Sequence, residues 1–251
     1  MIWRYELKYL IDEATFRELY YTLRTVLHHD SHVLLDESDP EQPRGYQIRS
    51  LYFDDYGRRG IFEKLSGVDP RHKYRIRIYN DGDQVIRLEK KTKHGSMTCK
   101  ESCLLSREQV DSLLVDDTEF LIAAISDVKS LKSRRVDLLG QFYGEWRTRH
   151  LRPLVLVEYN RIPLVWPDGN VRITFDRNLS TGYYRQDIWD PGAALQPVLD
   201  PQMVILEVKY DRFMPEFIQH LLPLTGAIPL AMSKYTQCAA YCRSQSWEDQ
   251  T

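Results

Sequence analysis

The chain has no long hydrophobic run. None of its 251 residues lies in an apolar stretch of the roughly 18 residues that a membrane-spanning helix needs. The N-terminal segment, MIWRYELKYLI, is charged and lacks the apolar core and small-residue cleavage site of a secretory signal. We therefore expect a cytoplasmic protein with no membrane insertion by this chain.

Motifs of common cofactor sites are also missing. No GxGxxG follows a strand and no GxxxxGK[ST] occurs, so neither a Rossmann site nor a P-loop is indicated. The cysteines have no CxxC spacing and no nearby histidine that would complete a zinc set, so we expect reduced, packed thiols. His28, His29 and His32 cluster in a loop, where solvated histidines are favoured over a metal site.

The chain has no large excess of positive or negative charge, because basic and acidic residues nearly balance. The formal net charge of −2 excludes a globally basic nucleic-acid coat, so any cationic site must be local. An apolar fraction of 43% argues against disorder. The length predicts one domain spanning residues 1–251, with a helical insertion at about residues 106–149.

What the chain does have is charge at alternate positions. Six segments show this pattern, and most of the alternating charges are basic. Because a strand sends alternate side chains to opposite faces, each segment predicts one charged face and one hydrophobic face. The segments are RYELKYL, HKYRIRIY, VIRLEKKTK, LVEYNR, VRITFD and LEVKY.

The order of elements predicts the fold class. About eight strands, two hairpin turns (NDGD and WPDGN) and no βαβ alternation indicate an α+β protein built on an eight-stranded antiparallel β-barrel tunnel surrounded by helices. Asp12 is a candidate N-cap for the first helix, and the last helix begins near Ser233. Residues 29–45 and 178–200 carry Pro, Gly and Asp and are predicted to be irregular.

Cations from several strands would meet inside such a barrel. They would repel one another unless a polyanion or interspersed acids neutralised them, and a linear triphosphate suits this interior. Glu6, Glu89 and Glu207 each lie in a different basic row, and their oxygens suit Mg²⁺ or Mn²⁺. The alternative for any single strand is a solvated face with cross-strand ion pairs. The predicted phosphate-contacting cations include Lys73, Lys93 and Lys209.

Taken together, the motifs resemble a known family. RYELKY, HKYRIRIY, LEKKT, VEYNR, VRITFD, LEVKY and SKY resemble, in order and spacing, VTC-type polyphosphate polymerase domains of the triphosphate tunnel metalloenzyme (CYTH-like) superfamily. The resemblance covers about residues 2–243. It implies a metal-dependent enzyme that transfers the γ-phosphoryl group of ATP to a phosphate or polyphosphate chain inside the tunnel, with Mn²⁺ or Mg²⁺ as cofactor.

The resemblance also implies residue roles. The catalytic set is Lys91, Arg75, Arg77 and Glu207, of which Glu207 is the metal-binding glutamate. The phosphate-contacting positions implied by the resemblance are Lys8, Lys100, Tyr159, Arg161, Arg172, Ser233 and Lys234.

Two departures from the family pattern bear on function. Arg4 replaces the first acid of the superfamily's ExExK, which removes one metal ligand and fits VTC domains better than the adenylate cyclases of the superfamily. Lys93 and Ala231 stand where fungal polymerases carry a histidine and a lysine. Loss of that lysine would weaken binding of the acceptor chain.

Two other functions remain open at this level. One is an inorganic or nucleoside triphosphatase of the same fold, and the other is a non-catalytic polyphosphate- or nucleotide-binding module. Nucleic acid is not an expected partner, because aromatic side chains do not interleave with the basic rows on the same face. No sensor domain is encoded, so a membrane or regulatory partner protein is left open.

Overall fold

A computed structural model describes residues 2–30, 33–35, 43–126, 133–183, 186–222, 230 and 232–248. The strands are β1 (Trp3–Asp12), β2 (His28–His29), β3 (Leu34–Leu35), β4 (Pro43–Asp54), β5 (Arg71–Tyr79), β6 (Gly82–His94), β7 (Met97–Leu105), β8 (Arg152–Trp166), β9 (Val171–Tyr183), β10 (Gln196–Pro197) and β11 (Met203–Tyr210). The helices are α1 (Glu13–Leu23), α2 (Arg59–Leu65), α3 (Arg107–Leu114), α4 (Glu119–Ser126), α5 (Arg134–Thr148), α6 (Glu216–Leu221) and α7 (Lys234–Glu248). A 3₁₀ turn covers Asp168–Asn170.

The eight long strands close into a barrel. Their order is β9-β11-β1-β7-β6-β5-β4-β8, and pairing of β8 with β9 completes the ring. Every pairing is antiparallel. The remaining strands β2, β3 and β10 are two-residue additions to β8, β4 and β9. The predicted α+β fold with an eight-stranded antiparallel barrel is confirmed.

Local signals account for several element boundaries. The Asp12 carboxylate accepts a hydrogen bond from the Thr15 backbone N–H at 2.7 Å and starts α1, as predicted. Ser106 and Gln109 form a capping box at the start of α3, and α3 to α5 lie within the predicted insertion. The loop between β5 and β6 has positive φ at Asn80 and Asp81, which suits a two-residue hairpin turn.

One predicted irregular segment is partly a strand. β9 continues to Tyr183 because its last residues, from Ser180 to Tyr183, pair with residues from Glu158 to Val155 of β8. These partners lie more than 20 residues earlier in the sequence, so the local composition does not reveal them. The other predicted irregular segment, residues 29–45, lies mostly outside the described residues, with β3 and the start of β4 in the part that is described.

Apolar side chains pack on both faces of part of the barrel. Outside, α3 to α5 cover β4 to β6 through residues such as Phe142 and Trp146, and α1 covers β9 and β11. Inside, Val155, Val157 and Ile205 pack with Tyr235 and Cys238 of α7. Helix α7 therefore fills one side of the barrel interior, and the polar cavity lies on the other side.

Candidate functional site

A cavity opens at one mouth of the barrel. It holds about 690 Å³ of space not occupied by atoms, including its open entrance. Strands β1, β5, β6 and β7 supply its wall, while α2 and residues at and before the start of α7 complete the rim. The cationic side chains at its lining positions are Lys8, Lys64, Arg71, Lys73, Lys91 and Lys93.

Glu207 lies at the centre of the first ion-pair network. Its Oε1 is 2.9 Å from the Lys234 ammonium and 3.3 Å from that of Lys8. Its Oε2 is 2.7 Å from Lys209 Nζ and 3.2 Å from Arg161 Nη2. Burial favours the neutral acid, but the surrounding cations hold the pKa of Glu207 well below its usual range.

Asp176 shares two of these cations. Arg161 binds it through two parallel hydrogen bonds of 2.6 and 2.7 Å, and Lys234 Nζ lies 2.6 Å from Oδ2. All three side chains are buried. Asp176 was not among the predicted site residues, although it alternates with Arg172 and Thr174 in VRITFD and so lies on the charged face.

Glu6 connects the cavity wall to the first network. Its carboxylate accepts a 2.5 Å hydrogen bond from Lys91 Nζ, while Lys8 Nζ lies 3.0 Å from the other oxygen. Burial lowers the pKa of Lys91 to about 7 in spite of Glu6, and neighbouring Lys8 adds to the effect. Burial similarly lowers the pKa of Lys209 to about 8.

Glu89 organises a second network on β5, β6 and β7. Arg75 contacts its Oε2 through Nε and Nη2 at 2.7 and 2.6 Å, and Lys100 Nζ lies 2.9 Å from Oε1. Arg77 Nη1 is 3.7 Å from Oε2. Tyr52 OH accepts a 2.7 Å hydrogen bond from Arg75. A single buried carboxylate thus faces three cations, which leaves positive charge in surplus.

Arg77 also reaches β8, two strands away in the barrel, where it donates to Tyr159 OH at 3.2 Å. The predicted phosphate contact Tyr159 therefore lies beside a predicted catalytic arginine. Arg172 lies elsewhere, 2.7 Å from Asp30 and 3.0 Å from Tyr46 OH, and Arg4 pairs with Asp211 at 2.9 Å. These two cations belong to neither network.

Lys73 has no carboxylate partner among the described residues. Its ammonium donates to Ser233 Oγ at 3.0 Å and lies 5.3 and 5.9 Å from the ring centroids of Tyr52 and Tyr235. Burial and the nearby Lys91 and Lys8 charges hold the pKa of Lys73 well below its ordinary value. An anion bound in the cavity would favour the charged form of Lys73, and among the described residues no carboxylate competes for that ammonium group.

These contacts show where the predicted site residues lie and which of them are paired. Most of the inward-facing charges form ion pairs and are buried or half-buried, so the alternative of solvated strand faces fails for them. Lys93 lines the cavity and Lys100 is half exposed. Ala231 lies outside the described residues. Sequence reasoning missed Lys64, which lies on a helix, and Arg71, which continues the alternation of Lys73, Arg75 and Arg77 by one position towards the N-terminus.

The carboxylates differ in how well they suit a divalent metal. Within the described ranges, no group of three or more His, Cys, Asp or Glu side chains is arranged to hold a metal ion. Glu6 and Glu207 nevertheless share the Lys8 ammonium as a neighbour, so two hard oxygen donors converge on one cation beside the cavity. Both fit a metal whose remaining ligands come from phosphate. Glu89 fits less well because no second carboxylate of the described ranges contacts the cations around it, whereas Glu6 and Glu207 approach each other across Lys8.

The barrel and its cationic interior can be compared with known proteins. The family model for the VTC domain matches residues 3–243. The chain belongs to the VTC domain family. Membership supports a function related to nucleotides or polyphosphate for this VTC domain, and the sequence-based recognition is confirmed. In the portion of the chain that is described, no helix is long and apolar enough to cross a membrane.

Solved structures similar to this VTC domain have low sequence identity. One is a candidate adenylate cyclase from Bacillus halodurans, with 13% identity, 93% of this chain and 96% of that chain covered, and a TM-score of 0.47. Another is the PH1819 protein from Pyrococcus horikoshii OT3, with 13% identity, the same coverage of 93% and 96%, and a TM-score of 0.44. No curated protein matches the chain.

The lowered pKa values predict how anion binding depends on pH. Lys91, whose pKa is about 7, is charged below that pH and neutral above it, and a phosphate chain favours the charged form. Affinity for tripolyphosphate should therefore fall by about tenfold between about pH 6.5 and about pH 8.5. Calorimetry at a series of pH values measures this, and Lys91→Met should flatten the dependence. Equal affinity across the series would contradict it.

Proposed function

We propose that this VTC domain transfers the γ-phosphoryl group of ATP to inorganic phosphate or a polyphosphate chain inside the barrel, with the help of Mn²⁺ or Mg²⁺. The observation that supports this most is the surplus of cations over carboxylates on the inner face of a closed barrel. Five cations contact the first network's Glu6, Glu207 and Asp176, and three contact Glu89. A bound polyanion would neutralise that surplus.

In this proposal the second network binds the nucleotide phosphates. Arg75 and Arg77 present guanidinium forks that match phosphate oxygens, and Glu89 fixes the plane of Arg75. Lys100, half exposed at the edge of the same network, adds charge where the nucleotide would enter. Because these donors are held before the substrate arrives, little reorganisation is needed as charge shifts in the transition state.

The first network and the cavity then hold the acceptor. Lys8, Lys91 and Lys209 face one another across β1, β6 and β11, where they would neutralise an incoming phosphate chain. Glu6 and Glu207 are the side chains that would hold a divalent metal, which when bound neutralises phosphate charge. No general base is required, because a phosphate acceptor is already anionic.

The fold also favours transfer to phosphate over transfer to water. Apolar side chains and α7 fill one side of the interior, and paired charges occupy much of the rest. A phosphate chain lying in the cavity would displace water from the reacting groups, which strengthens the electrostatic contacts made there. A triphosphatase would instead need water to reach the reacting groups.

The direct test is incubation of the purified protein with ATP and Mn²⁺ or Mg²⁺. We expect long phosphate chains on a gel and release of ADP, loss of both products on chelation of the metal, and recovery when Mn²⁺ is restored. ADP with orthophosphate as the sole products would support a triphosphatase instead. Binding of tripolyphosphate with no turnover under any divalent metal would favour a non-catalytic binding module.

A further inference from the structure

Asp54 is a buried carboxylate with no cationic partner in the described part of the chain. It lies at the end of β4, next to a cavity rich in cations, yet the residue is only 3% exposed and forms no ion pair with any described residue. Its oxygens instead accept hydrogen bonds from the backbone N–H groups of Asp55, Gly60 and Ile61, and from Tyr235 OH. A buried acid paired in this way connects separate elements of the structure.

The first element that Asp54 contacts is α2. Arg58, the residue preceding the helix, has positive φ and makes no side-chain cap. The Asp54 carboxylate caps the helix instead. Its Oδ1 accepts a 2.9 Å hydrogen bond from Gly60 N, and its Oδ2 accepts one of 3.3 Å from Ile61 N. A β-carbon on Gly60 would come within 3.2 Å of both oxygens, so glycine allows this close approach.

Besides Asp54, other contacts hold α2: Ile61 packs against the apolar cluster that includes Tyr235, and Asp55 Oδ1 accepts a 2.9 Å hydrogen bond from Arg59 N. None of its residues is buried, and Phe62 and Leu65 are exposed to solvent. Gly60 and Lys64, one helical turn apart, nevertheless line the cavity. The position of the Lys64 ammonium relative to the cavity therefore depends on how the first turn of α2 is anchored.

The second element is the start of α7. Tyr235, which donates to Asp54, stacks on Tyr52 with ring centroids 5.0 Å apart. The Lys73 ammonium lies against both rings and donates to Ser233 Oγ, one residue before α7. A continuous set of contacts thus runs from Asp54 through Tyr235 to Lys73.

We propose that Asp54 is a positioning residue for anion binding, which fixes α2 and the start of α7 together so that Lys64 and Lys73 face the phosphate chain. The proposal rests on the proposed function only for the chemical class of the ligand. Asp54 itself does not touch the ligand. It acts through the backbone of α2 and through the hydroxyl of Tyr235.

The test uses Asp54→Asn, Tyr235→Phe and the double variant, with tripolyphosphate as the probe. The asparagine variant places an amide donor where the carboxylate accepted, so affinity should fall by about tenfold, and the phenylalanine variant by about threefold. Because both changes disrupt the same hydrogen bond between Tyr235 and Asp54, the double variant should bind no more weakly than Asp54→Asn alone. Tyr20→Phe, which removes a hydroxyl that contacts His29 outside the barrel, is the control and should leave affinity unchanged.

Hydrogen exchange of the free protein gives a readout independent of any ligand. In Asp54→Asn, backbone amides of α2 and of the first turn of α7 should exchange faster, while those of β5 and β6 should not change. In the transfer assay, the KM for ATP or acceptor should rise with kcat nearly unchanged, because binding rather than chemistry is affected.

Several results would overturn the proposal. Affinity within twofold of the unaltered protein in both single variants would do so, as would additive losses in the double variant or faster exchange in one helix only. If Asp54→Asn does not fold, Tyr235→Phe decides the matter through the same measurements. Failure of the polymerase assay with normal tripolyphosphate binding would reject the proposed function and leave this inference intact.

Discussion

Replacing Glu207 with glutamine should lower the free energy of unfolding by about 3–5 kcal/mol, the range measured when one partner of a buried ion pair is removed. Lys8, Lys209, Lys234 and Arg161 would lose the carboxylate that they share. Lys234 and Arg161 are buried, and the other two are half-buried. Urea denaturation followed by circular dichroism measures the change.

Repeating the denaturation with tripolyphosphate distinguishes loss of negative charge from loss of packing as the cause of the lower stability. Metal-free tripolyphosphate should restore much of the stability of Glu207→Gln, because it supplies negative charge to the same cations. Glu216→Gln is the matched control, since Glu216 on α6 has an 85% exposed side chain and should tolerate the change. A loss below about 1 kcal/mol would show that the network does not depend on Glu207.

Replacing Arg75 with lysine should reduce the rate of phosphoryl transfer by about 10²–10³-fold, the usual cost of removing a preorganised donor. Lysine retains the charge but cannot contact Glu89 and Tyr52 at once in the fork geometry of the guanidinium. Initial rates of ADP release with ATP and Mn²⁺ measure the effect.

The control for Arg75 comes from the outward face of the neighbouring strand. Lys90 on β6 donates to Gln141 of α5 outside the barrel, so Lys90→Met should keep nearly the full rate. Similar rates for Arg75→Lys and the unaltered protein would remove Arg75 from the proposed mechanism. A parallel thermal melt of each variant separates loss of rate from loss of fold.

Much of the fold could be predicted because strand alternation is a local property. In HKYRIRIY, Tyr74, Ile76 and Ile78 pack outward against the helices, while the alternate residues Lys73, Arg75 and Arg77 turn inward, as their spacing requires. Asp12 likewise marks the start of α1 through a hydrogen bond to Thr15, only three residues later in the sequence. Such signals need no knowledge of distant parts of the chain.

The site could be predicted only in outline. The candidate residues were chosen by face and by family resemblance, but Asp176, Lys64 and Arg71 were missed. Lys64 reaches the cavity from α2, where strand alternation gives no signal. Arg71, the first residue of β5, continues the alternation of Lys73 and Arg75, and that signal could have found it. Asp54 gave no signal at all, since an aspartate at the end of a strand is usually a turn residue.

The sequence by itself determined which charged side chains face inward, that most of these are cationic, and that the strands form an antiparallel barrel. Only the tertiary structure decided which charges meet. Lys91 reaches Glu6 across a separation of 85 residues, and Lys234 reaches Glu207 across 27. These pairs depend on strand register and on the closure of β8 with β9, which are set by packing of the whole barrel. The period of two fixes the face of each residue, whereas its partner is fixed by contacts that no local pattern specifies.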